Sequence, residues 1–271
     1  MKRSILATSL LLLLSVPSQA ELVAHWSFDG TLTDSSGNGY DAFDATNDLG
    51  DTTFSSDVSA ALPNSQSVAF NKNSYLATPL SWEEADITDA FTVSAWAKYD
   101  GDEDGFILDF DRSENFSFLM YRGQYFFAMT DSTGTTYDYI YGNTFNGGEW
   151  NHLFVSYGAT NGLQFYANGE LIFSDIYRGR VGKNEIDRYA TIGDGSEAFT
   201  PDSGHHKSYS NLKVSELALW NEEYTQSFYV ANALHNGEAD VSSLLDVPAP
   251  FALAPLSLLL LAVSRRQQTL V

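Results

Sequence analysis

The carboxylates of this chain fall into two clusters whose spacing could hold a cation. The first is Asp29 with the run Asp34–Asp41, DSSGNGYD. Calcium takes about six to eight oxygens from carboxylates, amides and peptide carbonyls. Asp29 and Asp34 would supply charge, Asn38 an amide oxygen, and Gly37 and Tyr40 their peptide oxygens. The same residues also suit a self-capped loop, in which Asp and Asn side chains bond nearby backbone. The second cluster is DGDEDGFILDFD, Asp100–Asp111. Asp100, Asp102, Asp104 and Gly105 match the first half of an EF-hand loop, and Asp111 falls at its last position. Its flanks read as strands rather than helices, and Asp stands where a bidentate Glu belongs. The pattern therefore favours a solvated acidic hairpin tip.

Aromatic residues offer a second chemistry. Tyr137, Tyr139 and Tyr141 share one face of a strand, and Tyr121 and Tyr125 flank a turn at Arg122. Trp96 lies opposite the apolar side of its own strand. Flat rings stack on sugars, and Arg or Asn bonds hydroxyls. The competing reading is that these rings cover the outer faces of sheets. Catalysis has less support. Asp109 and Asp111, two apart, could form a carboxylate pair, but no third acid accompanies them. His25, His152, His205, His206 and His235 show no metal-ligand spacing, and His152 reads as a strand residue. There is no cysteine, no nucleophile elbow and no phosphate-cradling glycine loop.

The elements that would carry these residues are strands. Trp150–Ser174 reads as three of them, and Asn168-Gly169 between the last two suits a type I′ turn. Phe91–Tyr99 has period two: Phe91, Val93, Ala95, Ala97 and Tyr99 face one way, Thr92, Ser94, Trp96 and Lys98 the other. Further strands are expected at Leu22–Phe28, Ser67–Phe70, Tyr75–Ala77, Phe106–Phe110, Phe116–Tyr121, Tyr125–Thr130, Thr135–Tyr141, Tyr189–Ile192 and Leu212–Trp220. One short helix, Gln226–Leu234, would be capped by Thr225 and ended by Asn236-Gly237. Asp29–Gln66 is a long polar connection. The whole predicts an all-β sandwich of two antiparallel sheets.

Net charge is −21 over 271 residues. Setting aside Lys2, Arg3, Arg265 and Arg266 leaves 10 Lys and Arg against 35 Asp and Glu, or −25. Such a body repels nucleic acid and anionic membranes. Residues 1–20 have a basic start, an apolar core and a Ser18-Gln19-Ala20 cleavage site, the pattern of a secretory signal peptide. The domain is expected over 21–240. Residues 241–271 contain Val247-Pro248-Ala249-Pro250, a 13-residue mostly apolar run and Arg265-Arg266. That run is too short to span a bilayer comfortably. This end resembles a PEP-CTERM sorting signal, with Ala249 where an acid is usual. The resemblance implies processing by an exosortase-type enzyme and display outside the inner membrane of a Gram-negative bacterium.

The ordered segments LVAHWSFDGTLTDSSGNGYDA, SVAFNKNSYLAT, FTVSAWAKY, GEWNHLFVSYGATNGLQFYANGELI, YATIGDG and LKVSELALWNEEYT resemble the LamG-like jelly-roll family. That family belongs to the concanavalin A-like lectin/glucanase fold. The resemblance implies a jelly-roll sandwich that binds extracellular carbohydrate or protein, often with calcium. It adds Glu216 to the cation set, because in the family the similar loop lies against the corresponding late strand. It also implies where hydrolases of the fold keep an E-x-D-x-x-E strand; Glu185-Ile186-Asp187-Arg188 departs from it. The expectation is an exported, calcium-stabilised module binding extracellular polysaccharide through Trp96, Tyr121, Arg122, Tyr125, Tyr137, Tyr139 and Tyr141. The alternatives are a glycoside hydrolase or lyase using Asp109 or Asp111, and a structural matrix or adhesion protein.

Overall fold

A computed structural model describes residues 21–45, 52–71, 74–100, 104–141, 147–183, 186–201 and 211–246. In chain order the strands are β1 (Leu22–Trp26), β2 (Phe43–Asp44), β3 (Thr53–Ser55), β4 (Ser67–Phe70) and β5 (Leu76–Ser81). They continue with β6 (Phe91–Tyr99), β7 (Asp104–Asp109), β8 (Phe116–Tyr121), β9 (Gln124–Thr130) and β10 (Thr136–Tyr141). The last are β11 (Trp150–Gly158), β12 (Gly162–Ala167), β13 (Glu170–Asp175), β14 (Tyr189–Ile192) and β15 (Leu212–Trp220). The helices are α1 (Trp82–Ala85) and α2 (Ser227–His235), followed by a 3-10 turn over Ser242–Asp246.

Two antiparallel sheets form a sandwich. One runs β13-β12-β11-β6-β15-β4-β3 with β1 also on β15; the other runs β10-β9-β8-β7-β14-β5-β2. Period-two strands place Phe91, Val93, Ala95, Ala97 and Tyr99 between the sheets. Phe116, Phe118 and Phe127 meet them from the other side, with Phe91 stacked on Phe116 at 5.1 Å between centroids. Each such ring, taken from water, contributes about 2–3 kcal/mol. Asn168 and Gly169 have φ of 52° and 78°, as the tight β12–β13 turn requires.

The outer faces differ. On the eight-stranded sheet, α2 lays Val230, Ala231 and Leu234 over Phe154 and Trp220. Leu244 of the 3-10 turn joins this cluster, so the packed unit reaches Asp246, past the expected boundary at 240. On the seven-stranded sheet no helix among the described residues covers β8 and β9. There Leu119, Phe126 and Ala128 form a separate cluster with Phe106 and Tyr121.

Some elements depart from expectation. The long Asp29–Gln66 connection contributes two edge strands, β2 and β3, each hydrogen-bonded to a strand the pattern did identify. Helix α1 follows β5 because the Ser81 hydroxyl accepts from the Glu84 N–H at its start. Thr225 does not cap α2; Gln226 occupies that position without a side-chain bond, and the Thr225 carbonyl accepts from Asn161 instead.

Candidate functional site

The Asp34 loop closes on itself. Asp34 is buried, and its Oδ1 accepts the N–H groups of His25 and Ser36, both at 2.9 Å. Its Oδ2 accepts the Ser36 hydroxyl at 2.8 Å and the Tyr40 N–H at 3.1 Å. A carboxylate has about four lone-pair sites, and all four are taken. Asn38 donates to the carbonyls of Leu22 and Val23. The Tyr40 carbonyl accepts the Trp26 indole N–H at 2.8 Å. Asp29 lies exposed and binds the Gln66 N–H instead. Glu216 sits at a bulge in β15 with φ of 51° and pairs with His25 Nε2 at 2.7 Å. Gly37, at φ 89°, makes the turn. The Asp34 carboxylate and the Tyr40 carbonyl thus take protein donors, as in a self-capped loop. Among the described residues no group of three or more His, Cys, Asp or Glu is placed to hold a metal ion.

The second acidic cluster is only partly described, since Asp102 lies outside the described residues. Asp104 opens β7, and Asp111 has φ of 71° at the turn after it. Asp111 Oδ1 accepts the Ser113 N–H and hydroxyl, and its other oxygen lies 3.4 Å from Arg188 Nε. Arg188 also pairs with Glu114.

Tyr137 and Tyr139 of the stripe face inward, not outward. β10 pairs with β9 so that Tyr139 lies opposite Phe127 and Tyr137 opposite Met129, both core residues. Strand alternation then commits Tyr139 to the interior, where its hydroxyl donates to Asp175. Tyr137 is half-buried, bonded to Asp131 and covered by Arg178 at 5.1 Å. Tyr141 pairs with Tyr125 through backbone. Tyr125 is buried; its hydroxyl donates to Asn151, and burial pushes its pKa up to about 12. Trp96 does lie on the outer face of its sheet, but it is only 4% exposed. His235 of α2 stacks on it at 5.6 Å and His152 packs beside it at 5.3 Å. His152 bonds Ser94, and burial lowers its pKa to about 3, so it is a neutral strand residue. Tyr121 and Arg122 remain accessible, with the guanidinium 4.9 Å over the ring.

A different set of residues lines a groove on the outer face of the seven-stranded sheet. Its volume is about 570 Å³, within the range of small-ligand sites. Phe106, Leu119, Tyr121, Phe126 and Ile140 form its floor, and Ile140 is 46% exposed. Asp104, Asp138 and Glu197 line it with Arg112, which pairs with Asp138 at 3.3 Å. Asp109 and Asp111 close one end beside Ser117 and Ser196. Asp109 is 2% exposed and accepts the Ser117 hydroxyl and the N–H groups of Ser196 and Asp111. Burial raises its pKa to about 7 against the pull of those three bonds. Both its oxygens are occupied, as are those of Asp111, so the pair presents no oxygen poised over the groove. The groove escaped sequence reading because β8 and β9 (FSFLMY and QYFFAMT) are apolar on both faces. The usable signal was that excess: an antiparallel strand with a solvated face normally alternates.

Two face-to-face antiparallel sheets with an uncovered groove on one outer face define a jelly-roll of the concanavalin A-like kind. The family profile described as concanavalin A-like lectin/glucanases superfamily (Laminin_G_3) matches residues 70–227, more than half of the chain, and the chain belongs to this family. No curated protein matches its sequence significantly. Among solved structures, the receptor binding domain of botulinum neurotoxin C/D mosaic serotype is similar at a TM-score of 0.57 and 13% identity, covering 80% of this chain and 51% of that one. The serotype D ligand binding domain in complex with N-acetylneuraminic acid aligns at a TM-score of 0.58 and 15% identity, again over 80% and 51%. Domain 4 of AbnA, a GH43 extracellular arabinanase from Geobacillus stearothermophilus, in complex with arabinotriose, aligns at a TM-score of 0.56 and 19% identity. It is matched over its whole length by 80% of this chain. The chain spans about half the length of the neurotoxin domains it matches. At these identities the likeness is one of fold.

Proposed function

We propose that the chain is a non-catalytic carbohydrate-binding module whose ligand lies in the groove over β7–β10. The observation that carries this is the groove floor on a sheet face that no helix among the described residues covers, where Ile140 is exposed and Phe106 and Tyr121 are half-buried above the buried Leu119 and Phe126. Leaving such a surface in water is unfavourable unless something covers it. Tyr121 and Phe106 offer ring faces to a sugar, and Asp138, Glu197 and Arg112 offer hydrogen bonds to hydroxyls. Binding rather than hydrolysis follows from Asp109 and Asp111, whose oxygens serve the protein. The solved relatives in complex with arabinotriose and N-acetylneuraminic acid make a sugar a reasonable ligand for this fold. The reading includes export, supported by the residue pattern of 1–20, and sorting through the PEP-CTERM-like end, both outside the described residues.

The test is affinity electrophoresis and titration calorimetry against a panel of soluble polysaccharides. At least one should bind, and Tyr121→Ala with Phe106→Ala should weaken it about tenfold or more. Binding that survives both substitutions, or no binding across the panel, ends this reading. Product release that Asp109→Asn abolishes would restore the hydrolase alternative.

A further inference from the structure

The groove runs across the sheet rather than along one strand. Ile140 stands on β10, Phe126 on β9, Tyr121 on β8 and Phe106 on β7, and Ser196 and Glu197 follow β14. These strands are consecutive neighbours in their sheet. At about 4.8 Å between strands, β10 to β14 is about 19 Å. One sugar ring fills only part of that length. At the Ser196 end stands Phe199, 66% exposed. Ala198 is buried and its carbonyl accepts the Tyr189 N–H of β14, so Glu197 and Phe199, on either side of it, share the solvent side. A single exposed Phe is ordinary, but this one is held. The Arg188 guanidinium lies 3.7 Å over its ring. Arg188 is itself buried, shared between Asp111 and Glu114, and bonded to the Glu197 carbonyl. Asp111 and Glu197 both line the groove, which ties Phe199 to its end.

We propose that Phe199 is a further stacking platform, continuing the groove past Asp111, and that the site takes a run of several sugars in a linear chain rather than one terminal residue. This rests on the carbohydrate reading above and adds chain length to it. Tyr121 and Phe106 hold one part of the chain, and Phe199 holds sugars further along. The arginine backs one side of the Phe199 ring and leaves most of its surface to solvent. A ring already immobilised loses little rotamer freedom when a sugar stacks on it, so more of the contact appears as affinity.

The test is titration calorimetry with trimers and hexamers of arabinose, xylose and glucose, and of any other polysaccharide in the panel that binds. Neutral sugars keep the chain's charge of −21 out of the comparison. In at least one series the hexamer should bind about tenfold or more tighter than the trimer. That ratio should fall about fivefold in Phe199→Ala and persist in Phe199→Trp, which keeps a flat ring. It should also persist in Phe228→Ala, which removes an exposed ring from α2 on the other sheet. The extra registers open to a hexamer are common to parent and variants and cancel in these comparisons. A hexamer that binds no tighter than the trimer overturns the proposal and leaves the carbohydrate reading intact. So does a ratio unchanged in Phe199→Ala, lowered as far by Phe228→Ala, or lost in Phe199→Trp. If nothing in the panel binds, the carbohydrate reading fails and this proposal with it.

Discussion

Two carboxylates that the sequence offers for function have their oxygens bonded to protein donors, and each makes a distinct prediction. Asp109 is held near pKa 7 by burial, against 3.8 for an ordinary Asp. The folded chain keeps a proton that the unfolded chain releases across that interval. Its contribution to stability is full below 3.8 and is lost as pH rises to about 7. Asp109→Asn copies the protonated form, since its amide can donate to Ser117 and its oxygen accept the two N–H groups. It should melt several degrees above the parent at about pH 8 and level with it at about pH 4. A pH-independent offset in melting curves would contradict this. Asp34 makes the opposite case. Truncation to Ala orphans the three N–H groups of His25, Ser36 and Tyr40, the Ser36 hydroxyl keeping the Val23 carbonyl, and should cost about 2–4 kcal/mol in urea unfolding, equally with calcium or chelator. A calcium-dependent gain in the parent that Asp34→Ala removes would reinstate the cation at this loop.

At the scale of elements, the turns fix register and the register decides which rings are usable. The β11–β12 turn ends at Gly162, φ 72°, where an added Cβ would lie 2.2 Å from the Asp175 carbonyl oxygen at the end of β13. Gly162→Ala should therefore cost about 3 kcal/mol or more by denaturant titration, adding a backbone clash to the conformational strain. Gly37 has a similar φ of 89° but nothing within 4 Å, so Gly37→Ala should cost only about 1 kcal/mol. Similar costs at the two sites would mean that φ alone, not the approach of β13, constrains Gly162. Strand positions were largely legible: β4, β6, β8 and β15 fall where the apolar pattern placed them. Orientation was less so. Tyr137 and Tyr139 share a face, as spacing says, but only their pairing with Met129 and Phe127 shows that the face is the inner one.

At the scale of the molecule, charge dominates. A chain at −21 repels itself, and screening should relieve that repulsion. Raising sodium chloride from about 10 mM to about 200 mM should increase the melting temperature by several degrees. Magnesium should act like calcium at matched ionic strength, since this effect needs no specific cage. A calcium effect well beyond that of magnesium would point instead to a selective site.

Some of this protein is decided by its sequence. Period-two runs such as Phe91–Tyr99 and the Asn168-Gly169 turn admit little but antiparallel strands, because an alternating chain buries one side only when extended. Acid excess is likewise local arithmetic. Which sheet face carries the groove was decided by packing: α2 lies on the first sheet and covers Trp96, while Phe106, Tyr121 and Ile140 keep part of their surface on the second. No local pattern distinguishes an apolar residue facing another sheet from one facing a groove. Asp34 shows the same limit at a single residue. Its type and spacing suit calcium and a self-capped loop alike; Ser36 and Tyr40 of the loop bond it, and the last donor, the His25 N–H, comes from β1.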